Sequence, residues 1–157
     1  MSFGCNGGNQ SVAFKYLEKN KAELESVYKY TAKNGSCQYD ESSATSVNVS
    51  KYTNVKADNV EQMKAAVAKQ PVSVSIEADK RVFQQYKSGV FDSAECGTKL
   101  DHAVLVVGYG TESGSDYWIL KNSWGTVWGE EGYMQVAVQD GKGVCGIQMG
   151  PLYPSSN

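Results

Sequence analysis

Residues 58–76 read DNVEQMKAAVAKQPVSVSI, and this stretch decides the fold. Its first half sets Val60, Met63, Ala66 and Val67 at helical spacing, and Asp58 stands three residues before Glu61 in the form of a capping box. Pro71 ends that helix, because the residue before a proline is pushed out of the α region. Beyond it the period drops to two. Val72, Val74 and Ile76 alternate with Ser73, Ser75 and Glu77, the pattern of a half-buried strand.

Further along, Arg81–Tyr86 suits a short helical turn, and Ala103–Val107 is an apolar run of strand length closed by Gly108-Tyr109-Gly110. DYWILK (116–121) and GYMQVAV (132–138) complete a set of short strands. Upstream, residues 11–20 bring Val12, Ala13, Tyr16 and Leu17 near one helical face, with Ser11 as the cap. Residues 21–57 are irregular, and Tyr28, Tyr30, Tyr39 and Tyr52 are expected to pin that region by burying their rings and leaving their hydroxyls wet. A helix followed by strands with glycine-rich turns predicts an α+β fold with an antiparallel sheet. Gly108-Tyr109-Gly110-Thr111-Glu112-Ser113 echoes a dinucleotide-binding turn, but the third glycine is missing and another strand follows, so a hairpin loop is the better reading.

The 157 residues carry 15 basic and 17 acidic side chains and are 41% apolar. That is enough to bury a core. A net charge of −2 without a basic cluster excludes nucleic acid as a partner, since such binding rests on neutralising phosphates. No stretch nears the roughly 18 apolar residues of a membrane helix. The opening Met1-Ser2-Phe3 lacks a charged or apolar leader region, so the chain is expected to be mature or cut, with no membrane partner.

Four cysteines, at 5, 37, 96 and 145, include no C-x-x-C pair, and a single histidine leaves no metal-ligand spacing. Disulfides, and with them a lysosomal, vacuolar or secreted location, are favoured over four buried thiols. The sequons at Asn9, Asn34 and Asn48 point the same way.

His102 stands between Asp101 and the 103–107 run. A lone histidine is a hydrogen-bonded structural residue or a general base at a strand end, and His102 by itself does not choose. The segment from Lys121 to Tyr133 does more, with Asn122, Trp124, Trp128 and three glycines in thirteen residues. An asparagine oxygen can accept an imidazole N–H and fix its tautomer, and a tryptophan laid over that bond excludes water.

Asp101-His102-Ala103-Val104, Val107–Gly110, Trp118–Gly125 and Gly129–Tyr133 together resemble the papain family of cysteine endopeptidases, in its cathepsin L-like form. Gly4-Cys5-Asn6-Gly7-Gly8, Gln70–Val74, Gly143–Gly146 and Tyr153-Pro154 match in the same order, so the likeness covers essentially the whole chain. The resemblance implies a peptidase acting on peptide or protein substrates without a cofactor or metal. His102 would be the imidazole partner of the nucleophile and Asn122 its orienting third member. Trp124 would shield their bond, and Trp128 would wall the leaving-group side. Gly7 and Gly8 would pair with an extended substrate. Asn9, Gln10, Ser75, Leu100, Ala103 and Gly150 would line the pocket for the second residue before the scissile bond, with Asp101 beside them in the substrate-binding set. Cys96 and Cys145 would form a bridge, whereas Cys5 and Cys37 match cysteines whose partners lie outside these residues. They are expected to stay free, to pair with each other or to pair with another chain.

The family's nucleophile signature, C-G-[SA]-C-[WY], occurs nowhere in the 157 residues, nor does its oxyanion glutamine. Cys5 is not expected to replace it, since no helix start precedes it. The expected architecture is therefore a truncated two-lobe fold. Residues 1–52 would be the remnant of a helical left lobe without its central helix. Residues 53–157 would be a nearly complete right lobe, an antiparallel barrel-like sheet whose tail from Pro151 returns to the left lobe. Exposed apolar surface on the remnant would be covered by self-association or by a missing N-terminal segment. The chain alone is expected to be inactive; the alternative is a non-catalytic, protease-like peptide-binding or regulatory module.

Overall fold

The computed structural model describes residues 2–156, so the outermost residues of the two expected lobes, Met1 and Asn157, lie outside it. The chain divides into two compact units, Met1–Thr53 with Pro154–Asn157, and Asn54–Tyr153.

In the first unit, helix α1 (Gln10–Leu17) starts earlier than a cap at Ser11 would place it. Asn9, not Ser11, is the cap. It sits in extended backbone and its side chain accepts from the Ser11 N–H at 2.9 Å. The chain then runs without regular structure to strand β1 (Lys51–Asn54), apart from one short 3-10 turn at Glu41–Ser43. None of the described residues of this unit is buried. The tyrosine expectation fails here: Tyr30 is 82% exposed and Tyr28 40%, and only Tyr39 and Tyr52 meet other rings, those of Tyr16 and Phe14. Rings can be buried only against a core, and the described part of this unit has none.

The second unit follows the pattern of residues 58–76. Helix α2 (Val60–Val67) buries Met63, Ala66 and Val67. Its cap is Asn59, whose side chain accepts from the Gln62 N–H at 2.8 Å, and not Asp58. Asp58 has a φ of 56°, outside the extended conformation a cap needs. Strand β2 (Val72–Ile76) buries Val72, Val74 and Ile76 in strict alternation. Helix α3 (Arg81–Gln84) drives Phe83 fully inside and leads to the two-residue strand β3 (Val90–Phe91). Strands β4 (His102–Glu112) and β5 (Ser115–Lys121) form a hairpin around Ser113 and Gly114, both at positive φ, which is the two-residue turn that suits twisted strands. Strands β6 (Tyr133–Ala137) and β7 (Leu152–Ser155) follow.

The seven strands form one sheet in the order β1-β7-β2-β4-β5-β6-β3. The expectation of a wholly antiparallel sheet needs correction, because β3 pairs with β6 in parallel and the sheet is mixed. The chain between β3 and β6 runs through β4, β5 and the loop after Lys121 rather than through a tight hairpin, and a long connection of that kind permits parallel pairing. The core centres on Trp118, Phe83, Met63, Ile76, Leu120, Met134 and Ile147. One polar side chain sits among them. Gln148, fully buried, accepts from the Trp118 indole N–H and donates to the carbonyls of Gln139 and Gly141, so every buried polar atom in that cluster is satisfied.

Candidate active site

β4 begins with His102, which lies opposite Ile76 of β2. β5 ends at Lys121, opposite Leu105 of β4, so the next residue, Asn122, arrives beside the start of β4. The Asn122 N–H donates to the Gly132 carbonyl, and the side chain is nine-tenths buried. Its Oδ1 receives two donors, the Ser123 N–H at 2.8 Å and His102 Nε2 at 2.8 Å. The backbone N–H of Ser123 can only donate, which identifies the asparagine atom as oxygen and not nitrogen. An oxygen without protons requires a proton on His102 Nε2. Nδ1 therefore carries the lone pair in the neutral imidazole. The opposite atom of the amide, Asn122 Nδ2, is buried and has no partner among the described residues.

The Trp124 ring stacks on the imidazole with centroids 5.0 Å apart and planes 25° from parallel. It stands edge-on to Trp128 and Phe83. Trp128 is buried on Phe83 and Tyr86 and donates its indole N–H to the Gln84 carbonyl, so α3 anchors the aromatic wall from below. The tight path from Asn122 to Tyr133 depends on Gly129, whose φ is 57° and where any Cβ would collide with the Tyr133 carbonyl.

The loop leading into His102 is tied down by the Cys96–Cys145 bridge that the resemblance implied, and by a group that the sequence did not flag. Glu77, almost fully buried at the end of β2, accepts the Lys99 N–H at 2.6 Å and pairs with Lys80 Nζ at 2.9 Å. The Lys80 ammonium, and after it the Lys99 N–H, hold its carboxyl below the usual range. Gly97 packs directly on that carboxylate, with no room for a side chain. Asp101 donates its N–H to the Ile76 carbonyl and accepts the Ala78 N–H on Oδ1, so its carboxylate is committed to backbone. A charge in the sequence gives no sign of this; the signal available was Gly97 following Cys96.

Among the expected substrate-binding residues, Ser75 and Ala103 face each other across β2 and β4, Leu100 is 37% exposed against Gly146, and Gly150 is exposed. A hollow of about 400 Å³ is lined by Ser73, Ala103, Leu105, Asn122 and Ser123. Gly7, Gly8, Asn9 and Gln10 belong to the other unit, around the start of α1. Cys5 and Cys37, also in that unit, are free and exposed. No cluster of three or more His, Cys, Asp or Glu that could hold a metal occurs among the described residues.

Residues 1–155 match the family described as papain family cysteine protease. Cysteine proteinase RD21A of Arabidopsis thaliana is 46% identical over 157 residues, which is 98% of this chain and 34% of the relative. Chymopapain of Carica papaya is 44% identical over 98% of this chain and 44% of its own length. Among solved structures, the bromelain protease from Ananas comosus, in complex with the E64 inhibitor, superposes with a TM-score of 0.91 at 42% identity, covering 99% of this chain and 73% of that one. Digestive procathepsin L 3 of Tenebrio molitor larval midgut gives 0.91 at 39% identity over 98% of this chain and 50% of its own. The chain thus spans between a third and a half of the length of these curated relatives.

Proposed function

The chain belongs to the papain family of cysteine proteases, and from that premise we propose that it supplies the imidazole–amide half of a thiol peptidase. The hydrogen bond from His102 Nε2 to Asn122 Oδ1 carries the proposal. It leaves Nδ1 as the base that takes the proton of a cysteine thiol. The thiolate attacks a peptide carbonyl, the leaving amine departs with the proton from Nδ1, and water then cleaves the thioester. Asn122 keeps the ring in one tautomer through both proton transfers, and its carbonyl dipole stabilises the imidazolium. Trp124 keeps water from that bond, and Trp128 backs it on the leaving-group side. Gly7, Gly8, Asn9, Gln10, Ser75, Leu100, Asp101, Ala103 and Gly150 are the residues proposed to receive a peptide or protein substrate.

No cysteine within the 157 residues stands in the C-G-[SA]-C-[WY] context, so the thiolate is assigned to a segment of a longer protein. In this reading residues 1–52 are part of a helical lobe and residues 53–157 form a sheet lobe whose tail returns to the first. The division after Thr53 and the grouping of residues 154–157 with the first unit support it. The bridge between Cys96 and Cys145 supports a vacuolar, lysosomal or secreted location. Exposed Phe3, Leu24, Val27 and Val47 support a covering segment or a second copy on the first unit.

The test is incubation of the 157-residue chain with an epoxysuccinyl thiol-protease inhibitor, read by intact mass and peptide mapping, beside a version extended upstream by the signature helix. The short chain should take no adduct, and the extended one should hydrolyse a peptide and lose that activity in His102→Ala. A stoichiometric adduct on Cys5 of the short chain would sink the assignment. An extended chain that binds peptides without cleaving them would make this a peptide-binding module instead.

A further inference from the structure

Three Asn-x-Ser sequons occur in the first unit, at Asn9, Asn34 and Asn48, and the structure sets their side chains in different surroundings. We infer that Asn48 is the site that carries an N-linked oligosaccharide, and that Asn9 and Asn34 stay bare. The inference rests on the secretory location proposed above.

Attaching the first sugar turns the primary carboxamide into a secondary amide, which strongly prefers its new substituent trans to Cβ, as a peptide bond does; the cis form costs ~2.5 kcal/mol or more. The sugar's C1 then lies on the same side of the amide as Oδ1, so groups crowded around Oδ1 also crowd the sugar.

At Asn9, Oδ1 is taken twice by its own sequon serine, through the Ser11 N–H at 2.9 Å and the Ser11 Oγ at 2.6 Å. Both lone pairs are used in capping α1, and the preceding residue is the proposed substrate-pairing Gly8. At Asn34, Oδ1 accepts the Cys5 N–H at 3.0 Å and lies so close to Gly4 that a Cβ there would stand 2.8 Å away. All three asparagines are exposed, but at Asn48 no hydrogen bond among the described residues engages the side chain, while the backbone on either side is pinned: the Ala22 N–H donates to the Val47 carbonyl, and the Val49 N–H to the Leu17 carbonyl. The carboxamide is therefore presented outward from fixed backbone.

The third sequon residue adds the order of events. Ser50 Oγ donates to the Ser155 carbonyl at 3.0 Å and is half-buried in the folded chain. A transferase needs that hydroxyl free, so transfer precedes the docking of Ser50 on the tail. A chain given a sugar at Asn9 or Asn34 at that stage meets the crowding around Oδ1 when it folds, so the folded, secreted population is bare at those two positions. The donor is a lipid-pyrophosphate-linked oligosaccharide. Asn48 Nδ2 attacks C1, the C1–O bond to pyrophosphate breaks with its electrons leaving on the lipid pyrophosphate, and Nδ2 gives up one proton to the transferase. The finished glycan then stands beside Val47, which is 61% exposed, in a unit none of whose described residues is buried.

The test is expression of this chain behind a cleavable secretory leader in eukaryotic cells. Glycans are removed by an amidase in heavy-oxygen water, which marks each attachment site as a labelled aspartate, and peptides are mapped in both the cell-associated and the secreted pools. In the secreted pool label is expected at position 48 and not at 9 or 34. Asn48→Gln and Ser50→Ala should each abolish the mobility shift removed by the amidase, and Ser50→Thr should retain it. An unlabelled position 48 in a pool whose Cys96–Cys145 bridge has formed would overturn the inference, since the bridge certifies entry into the oxidising compartment. Equal label at Asn9 or Asn34 in the secreted pool would refute the inference. Failure of the natural protein to enter the secretory route would count against the location and leave the mapping result standing.

Discussion

Replacing both Cys96 and Cys145 by serine removes a link between residues separated by 49 positions. Releasing a loop of that length returns roughly 4 kcal/mol of conformational freedom to the unfolded chain in the loop-closure account, within the usual 2–5 kcal/mol for native bridges. The unit that contains it, Asn54–Tyr153, is of the size at which each kcal/mol moves the melting midpoint by about 4–8 °C, so a fall of roughly 15–30 °C is expected. All three tryptophans, at 118, 124 and 128, belong to that unit, so urea unfolding followed by their fluorescence reports on it alone. The slope of free energy against urea should also rise, because an uncrosslinked chain exposes more surface when it unfolds. Exposed Cys5 and Cys37 provide the control: serine there should change stability by no more than about 0.5 kcal/mol. A loss below about 1 kcal/mol in the double variant, with an unchanged slope, would show that the bridge constrains nothing that the sheet does not already hold.

Met63→Ala empties a fully buried site on α2 and should cost about 2–5 kcal/mol in the same urea assay; a smaller loss would mean that α2 collapses onto the gap. Glu77→Gln keeps an acceptor for the Lys99 N–H but loses the charge facing Lys80. Because the folded carboxyl sits below its ordinary value, its contribution is complete at neutral pH and is lost as pH falls through the folded value. The variant's stability should therefore fall less steeply below about pH 4 than that of the parent, and identical acid limbs would refute this. With one histidine in the chain, nitrogen shifts of the imidazole are unambiguous: the neutral ring should be the Nε2–H tautomer, and Asn122→Ala should release it to a mixture. Finding Nδ1–H in the parent would reverse the assignment of the base.

Local periodicity made β2 and α2 legible, because each buries one face and each face repeats at its own spacing. The His102 and Asn122 pair was legible through residue types that a plain strand explains badly. What the sequence did not disclose depends on distant partners. The cap of α2 falls on Asn59 because Asp58 adopts a left-handed conformation and donates its N–H to the Gln148 carbonyl, far along the chain. The parallel placement of β3 depends on its pairing with β6, from which β4 and β5 separate it in the chain. Glu77 and Gln148 read as surface residues, and only the closed fold brings them the donors and acceptors that permit their burial.

That none of the described residues of the first unit is buried has a thermodynamic consequence. Protection of an amide against hydrogen exchange rises with the apolar contacts that must be broken to open it. Amides around α1 should exchange through small local openings, whereas those of β4 and β5, backed by Trp118 and Leu120, exchange only when the sheet itself opens. The chain then has no single free energy of unfolding. Its heat absorption on melting belongs almost wholly to the sheet unit, and the first unit contributes a broad, early pre-transition in place of a second cooperative peak.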